Sequence, residues 1–449
     1  MLKKLHIKNF KCLRDTGELE IRPLTFLVGP NSSGKSSVLQ ILLLLRQTVD
    51  STGLRTPLAT SNGWIQMGAY PEFIFKNQTQ RNLEIDLEIS NLFIPIRIPT
   101  ESKKKYMIRK VGKLFLRVAF YYNRKTGQIL LKEREIKAGK YLSEKVIWCP
   151  QKREYSAILS ILGEKKRHEL IRENVNPIKF YDFEFSFRPT ETTEEFAQTF
   201  PFYPMFTGLG YTVEKELRNF FYLGPLREFP KRTYVTSGQS PQDVGTKGEH
   251  AIDVLWFSHM SESKRIRRIE DETRYWIKKF DIASDIRLER ISKGNYRLAI
   301  IDMATGAETN LADIGFGASQ TLPIIIESFY APPRSMILIE QPEIHLHPKA
   351  QSLLGDLFIK AASEANRSFI IETHSEHILA RIRRRIAEGQ INKDNVAIYY
   401  FDPSPKGTNI HEITLNKDGQ YESFPKGFFE EDVLEAFEHL KAIQSRKDK

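Results

Sequence analysis

Gly29-Pro30-Asn31-Ser32-Ser33-Gly34-Lys35-Ser36 decides how this chain is read. It follows an apolar run, Leu24-Thr25-Phe26-Leu27-Val28, with the look of a buried strand. It precedes Val38-Leu39-Gln40-Ile41-Leu42-Leu43-Leu44-Leu45, which predicts a helix. Strand, GxxxxGK[ST] and helix in that order form the context of a phosphate-binding P-loop. Glycines at both ends let the backbone turn tightly and aim its N–H groups at a triphosphate. The helix N-terminus adds about half a positive charge at the same point. Asn31, Gly34, Lys35, Ser36 and Ser37 are therefore the expected nucleotide-binding residues. Lys35 is expected to reach the β- and γ-phosphates of ATP, and Ser36 to ligate Mg²⁺.

Composition narrows the classes. The 449 residues suffice for two or so domains. Lys and Arg outnumber Asp and Glu by 67 to 56, leaving a net charge of +11. That excess suits nucleic acid or another polyanion as partner, and equally suits plain solubility charge. Only Cys12 and Cys149 occur, which excludes a disulfide framework and a cysteine-rich metal site. Val38 to Leu45 is far too short to span a bilayer, and Met1-Leu2-Lys3-Lys4 leads into an alternating strand rather than a signal peptide. The expectation is a cytoplasmic chain with no membrane partner.

Leu5 to Phe10 alternates as a half-buried strand, and Glu18 to Ile21 is its natural partner. Ser51 to Tyr70 reads as loop, and Asn82 to Ile89 as a strand. Leu114–Tyr122 and Ile129–Lys132 bracket a turn at Asn123–Gly127, a hairpin pattern. Lys103–Lys105 and Lys165–Arg167 are basic clusters with the ordinary reading of solvated surface. Phe180 to Phe187 predicts a strand, Phe200 to Gly210 a loop, and Ile252 to Ile277 one helical stretch. Ile286–Leu288 and Tyr296–Ile301 predict strands.

Two more apolar strands end in polar groups. Ser335-Met336-Ile337-Leu338-Ile339-Glu340 delivers an acid at the end of a buried strand, the Walker B arrangement, so Glu340 is expected in the Mg²⁺ shell. Ser368 to Ser375 puts His374 just past another strand end, where open α/β sheets place ligand contacts. Gly315-Phe316-Gly317-Ala318-Ser319 opens an apolar helix and is a second candidate anion site. His345 and His347 lack an obvious third ligand for zinc.

This order of motifs resembles the ABC-type ATPases of the RecF/SMC branch. It is most similar to bacterial ATPases related to the OLD proteins, with IExPEIHLHP standing here as Ile339–Pro348 and ETHSE as Glu372–Glu376. The stretch Asp418-Gly419 through Phe429 looks like the tail of that subgroup. The likeness covers about residues 1–90 and 220–449. It implies an α/β head of the ABC-type P-loop class with a mixed sheet and an inserted, mainly β and helical region. The segments would be 1–99 with the P-loop, 100–220 as the insertion, 221–415 as the rest of the head, and 416–449 as a tail.

The resemblance also implies a homodimer or higher homo-oligomer, with ATP between one copy's P-loop and the other's Gly315, Gly317 and Ser319. His374 would act as the switch histidine on the γ-phosphate, and Gln66 as a lid glutamine near the metal. In the wider pattern a catalytic glutamate follows the Walker B acid. Here that position is Gln341, which cannot accept a proton as a general base. Glu343 would orient the attacking water instead, or turnover is slow. No acidic cluster for two-metal cleavage follows the head, so a nuclease or toxin would be a separate effector protein, as in anti-phage systems. The readings left open are an ATP-driven switch acting on DNA or a partner, an ATP-stabilised scaffold that cages an effector, and a small-molecule kinase. Arg381, Arg383, Arg384 and Arg385 are the basic residues a nucleic acid would meet, or a solvated helix face.

Overall fold

In the computed structural model, the run Leu24–Val28 becomes an inner strand of a six-stranded sheet. The described residues are 1–51, 56–61, 63–99, 106–149, 154–162, 167–179, 182–185, 203–236 and 238–423. The strand order is Phe220–Leu223, Met336–Glu340, Ser368–Glu372, Leu24–Val28, Val396–Asp402 and Asn409–Glu412. The first five are parallel, and Asn409–Glu412 closes one edge antiparallel. Every residue of Leu24–Val28, Met336–Glu340 and Ser368–Glu372 is buried. Strands covered on both faces need apolar side chains at every position, so these read as unbroken runs. Successive side chains still point to opposite sides. Leu27, Leu338 and Ile370 join one core, whereas Phe26, Ile337, Ile339, Phe369 and Ile371 join the other.

The helix Lys35–Asp50 lies in the first core, and thirteen of its sixteen residues are buried, so it is enclosed on nearly every side. It packs between the parallel sheet and a ten-stranded antiparallel sheet begun by Leu2–Phe10 and Leu83–Pro99. The helices Phe316–Tyr330, Pro348–Ala365 and Glu376–Ala387 supply the second core, through Leu322, Ile325, Leu357 and Ile378 among others. A small four-stranded sheet contains the expected strands Asp285–Ser292 and Asn295–Ile301.

The antiparallel sheet runs straight across the expected boundary at residue 99. Leu83, Ile85, Leu87 and Ile89 stand opposite Phe120, Val118, Leu116 and Leu114, and all are buried in one core. The sheet continues through Gln128–Ala138, Leu142–Cys149, Glu154–Leu162 and Arg167–Lys179 to Asp182–Phe185. The hairpin with its turn at Asn123–Gly127 is present.

Two local expectations are corrected. Of the expected loop Phe200 to Gly210, residues 203–210 lie in a helix over Tyr203–Arg218, and residues 200–202 fall outside the described residues. Its glycines hid a stripe at helical spacing, Leu209, Val213 and Leu217, which is fully buried. Ile252 to Ile277 is not one helix but two, Ala251–Met260 and Lys264–Lys279. Ser261 takes extended backbone and Ser263 starts the second helix, while the Ser258 hydroxyl ties the pair by donating to the Ile266 carbonyl. Lys103–Lys105, Lys165, Lys166 and the tail beyond Ser423 lie outside the described residues.

Candidate nucleotide site

The P-loop leaves the C-terminal end of Leu24–Val28 with positive φ at Gly29 (139°), Ser32 (60°) and Gly34 (101°). Glycine is required twice over. A Cβ on Gly29 would come 2.5 Å from the Phe401 carbonyl oxygen, and one on Gly34 would collide with Cys12 Sγ. The Thr408 hydroxyl donates to the Ser33 carbonyl at 2.7 Å and braces the loop from behind. Lys35 is 3% exposed, and its Nζ donates to the carbonyls of Gly29 (3.0 Å) and Pro30 (2.8 Å). Burial lowers its pKa, against the pull of Glu372 and Glu343.

Because the strands are parallel and in register, their ends bring two acids side by side. Glu340 and Glu372 are paired residues of adjacent strands. The Tyr222 hydroxyl donates to Glu340 Oε1 at 2.9 Å. Burial first, and then the neighbouring Glu372, push the Glu340 carboxyl up to about 7. Burial likewise raises Glu372, opposed by the Ser36 side chain beside it and by Lys35, whose Nζ lies 4.0 Å from Glu372 Oε1.

The loop after Glu340 is strained and clamped. Gln341 has φ 45°, a left-handed conformation that non-glycine residues adopt at a cost. Its N–H donates to the Glu372 carbonyl at 2.8 Å. The buried Arg227 donates to the carbonyls of Glu340 (3.0 Å) and Gln341 (3.2 Å). Glu343 is thereby turned toward the histidine loop, and its Oε1 accepts the backbone N–H of His374 at 2.6 Å. Burial raises Glu343 and lowers His374, the latter helped by Lys35.

Lys35, Ser36, Glu343, Glu372 and His374 thus gather at the P-loop, with Glu340 beside Glu372 on the neighbouring strand. Gln66 is exposed in the loop that Gln47 fastens to the P-loop helix through Ala59 and Ile65. Among the described residues no hydrogen bond or ion pair joins Gln66 to the P-loop or the carboxylates. Gly315 is exposed at the start of Phe316–Tyr330, and a Cβ on Gly317 would sit 3.9 Å from the His345 carbonyl. The glycine-rich helix start therefore adjoins the Gln341–His347 loop, and Ser319 is buried behind it. His347 caps the helix Pro348–Ala365, and no group of three His, Cys, Asp or Glu suited to a metal occurs among the described residues.

Three participants carried no assignment in the sequence: Glu372, Tyr222 and Arg227. Glu372 had a signal, since Ser368–Glu372 repeats the apolar-run-plus-acid pattern of Met336–Glu340.

The residues present suit a phosphate ligand with a hard cation. Ser33 Oγ, Glu343 Oε2 and Glu372 Oε2 are buried without hydrogen-bond partners, and buried polar atoms left so are costly. Mg²⁺ takes oxygen ligands, typically one or two carboxylates with phosphate oxygens. Ser36 and Glu340 would hold it.

The family model described as an AAA ATPase domain matches residues 1–379. The chain belongs to the AAA ATPase domain family. A second model, described as a protein of unknown function (DUF3696), matches residues 391–437. A stretch of 45 residues is 49% identical to the OLD nuclease of Thermus scotoductus, covering 10% of this chain and 8% of that protein. The chain therefore spans a small fraction of that relative's length. Solved structures similar to this AAA ATPase domain include an SMC head bound to the C-winged helix domain of ScpA, at 13% identity and TM-score 0.47, covering 93% of this chain and 98% of that one. Another is the SMC head domain from Thermotoga maritima, at 12% identity and TM-score 0.36, covering 92% and 99%. The family and the fold make this an α/β ATPase domain with a P-loop between the strand Leu24–Val28 and the helix Lys35–Asp50.

The arginines after the histidine loop are engaged within this AAA ATPase domain. Arg381 and Arg385 pair with the buried Asp356 at 2.6 Å each. Arg383 donates to the Gly419 carbonyl and stacks 4.0 Å from the Tyr421 ring centre, and Arg384 pairs with Glu388. Two carboxylates and a carbonyl of this fold engage the four arginines, with the Arg384–Glu388 pair lying at the surface.

Proposed function

We propose that this chain binds and hydrolyses Mg²⁺-ATP, and that two copies close around the nucleotide and part after hydrolysis. The observation that carries this reading is the convergence of Glu372, Glu343 and His374 on the P-loop lysine, with Glu340 beside Glu372 at the same edge of the parallel sheet. Lys35 would move from the Gly29 and Pro30 carbonyls to the phosphates, trading two neutral acceptors for charged ones. Glu343, with one oxygen fixed on the His374 backbone and the other without a partner, is suited to accept a proton from water. Bound Mg²⁺ would supply charge neutralisation on the phosphates.

Closure by a second copy is supported by the surface beside the glycine-rich helix start. Leu226 and Phe229 are 76% and 70% exposed on either side of the clamped Arg227. Phe229 shares a small pocket with Ser319 and Leu322. Exposed apolar side chains next to a polar loop are a common mark of an association surface. Under this reading the motion is passed to DNA or to a separate effector such as a nuclease or toxin, and defence against phage is one setting for it.

Gln341 favours a second reading, in which ATP holds a long-lived scaffold around an effector and turnover is incidental. Phosphate release by wild type and Glu343→Gln separates the two. A marked loss in the variant supports the switch. An unchanged slow rate supports the scaffold, and no nucleotide binding by wild type rejects both.

A further inference from the structure

The acid at the end of Ser368–Glu372 faces Lys35 but carries no assigned chemical role at the nucleotide site. Glu372 is 4% exposed, and its Oε2 has no hydrogen-bond partner. Strand register sets it directly beside Glu340, and paired residues of neighbouring strands lie about 5 Å apart. The Ser36 side chain, the expected metal-ligating hydroxyl, lies beside the same carboxylate. Its cationic neighbour is Lys35, at 4.0 Å. Lys35 cannot serve Glu372 and a triphosphate equally well. Once the ammonium turns to the phosphates, Glu372 loses its cationic neighbour, and two adjacent buried carboxylates face the phosphate charges with only Arg227 and Lys11, on the Glu340 side, to offset them. An uncompensated buried charge is strongly unfavourable, and a divalent cation between the strand ends removes the conflict.

We propose that Glu372 is a second carboxylate of the Mg²⁺ site, sharing the cation with Glu340 and Ser36 when nucleotide is bound. The site then holds two strand-end acids, within the one or two carboxylates that Mg²⁺ usually takes along with phosphate oxygens. This rests on the ATPase reading above.

The test uses Mn²⁺ as a paramagnetic stand-in and AMP-PNP as a non-hydrolysed nucleotide. Mn²⁺ affinity of the full chain is read by electron paramagnetic resonance with AMP-PNP at saturation. AMP-PNP affinity in EDTA is read separately by calorimetry. Glu372→Gln, which keeps the side chain's shape, should weaken Mn²⁺ by about 10-fold or more, the scale on which altered metal-site partners act. Its AMP-PNP affinity in EDTA should not fall. Glu372→Asp, which keeps the charge, should lie between the two and serves in its place if Glu372→Gln does not fold. Mn²⁺ affinity in Glu372→Gln within about 2-fold of wild type would overturn the proposal. So would an equal loss of AMP-PNP affinity with and without metal, because that marks a residue that merely positions Lys35 and Ser36. Failure of wild type to bind AMP-PNP would remove the ATPase reading itself, and this inference with it.

Discussion

Glu343 Oε1 accepts the backbone N–H of His374 at 2.6 Å, joining the loop after one strand to the loop after its neighbour. Each strand end alone delivers a polar side chain. The bond makes them a unit, so a change at Glu343 moves the histidine loop as well. Glu343→Gln keeps an acceptor for that N–H but removes the charge. Phosphate release at saturating ATP should fall by about 100-fold or more, the usual span for a lost general base, with nucleotide affinity kept. Glu343→Ala should also weaken nucleotide binding, because His374 loses its anchor. Equal affinities for the two variants in a fluorescent-nucleotide titration would show that the bond does not matter.

Arg227 clamps the strained Gln341 by donating to two successive carbonyls. Lysine offers a point charge and cannot reproduce the fork. Arg227→Lys should cost about 1–3 kcal/mol in urea denaturation, the scale for buried acceptors left unmatched. Its kcat should drop more than its KM changes, since the Glu343 loop is displaced and the P-loop is not. A stable variant with wild-type kcat would argue that Gln341 holds its conformation unaided.

Glu327 sits on the helix that begins at Gly315, is 1% exposed, and is pushed up to about 8 by burial and by Asp243. Its Oε2 accepts the Val244 N–H at 3.1 Å, while Oε1 has no partner. A carboxyl raised from 4.5 binds its proton more tightly folded than unfolded. Its contribution is therefore complete below pH 4.5 and lost as pH rises through about 8. The loss is at most roughly 4–5 kcal/mol. Unfolding followed at pH 5, 7 and 9 should show stability falling for wild type, with a flatter profile for Glu327→Gln. Identical profiles would mean that Glu327 is solvated.

Asp356 is buried and receives Arg381 and Arg385 from the helix Glu376–Ala387. Burial would raise its pKa, but hydrogen bonding and charge from Arg385 and Arg381 more than offset this and hold it low. Breaking such a network by removing one member typically costs about 3–5 kcal/mol. Asp356→Ala should lose stability on that scale in chemical denaturation. A change under 1 kcal/mol, the surface-pair range, would mean that these arginines are loosely held.

The nucleotide site was largely legible because its residues come in short stretches at strand ends. Leu24–Val28, Met336–Glu340 and Ser368–Glu372 read as apolar runs for the same reason that they are central strands, namely burial on both faces. Glu372 was legible as a pattern, yet its meaning depended on register with Glu340, which no local stretch states. Arg227 and Tyr222 act across 113 and 118 positions of chain, so their partners follow from topology alone. The helix Tyr203–Arg218 was concealed by glycines within a stripe that only tertiary burial selects. Arg381 and Arg385 looked free because their carboxylate, Asp356, lies on another helix.

Light scattering measures directly whether two chains meet around ATP. Glu343→Gln in Mg²⁺-ATP should run at twice the mass of one chain, and should return to the mass of one chain when Lys35→Ala is added. A single-chain mass in Mg²⁺-ATP, with nucleotide demonstrably bound, would contradict that pairing.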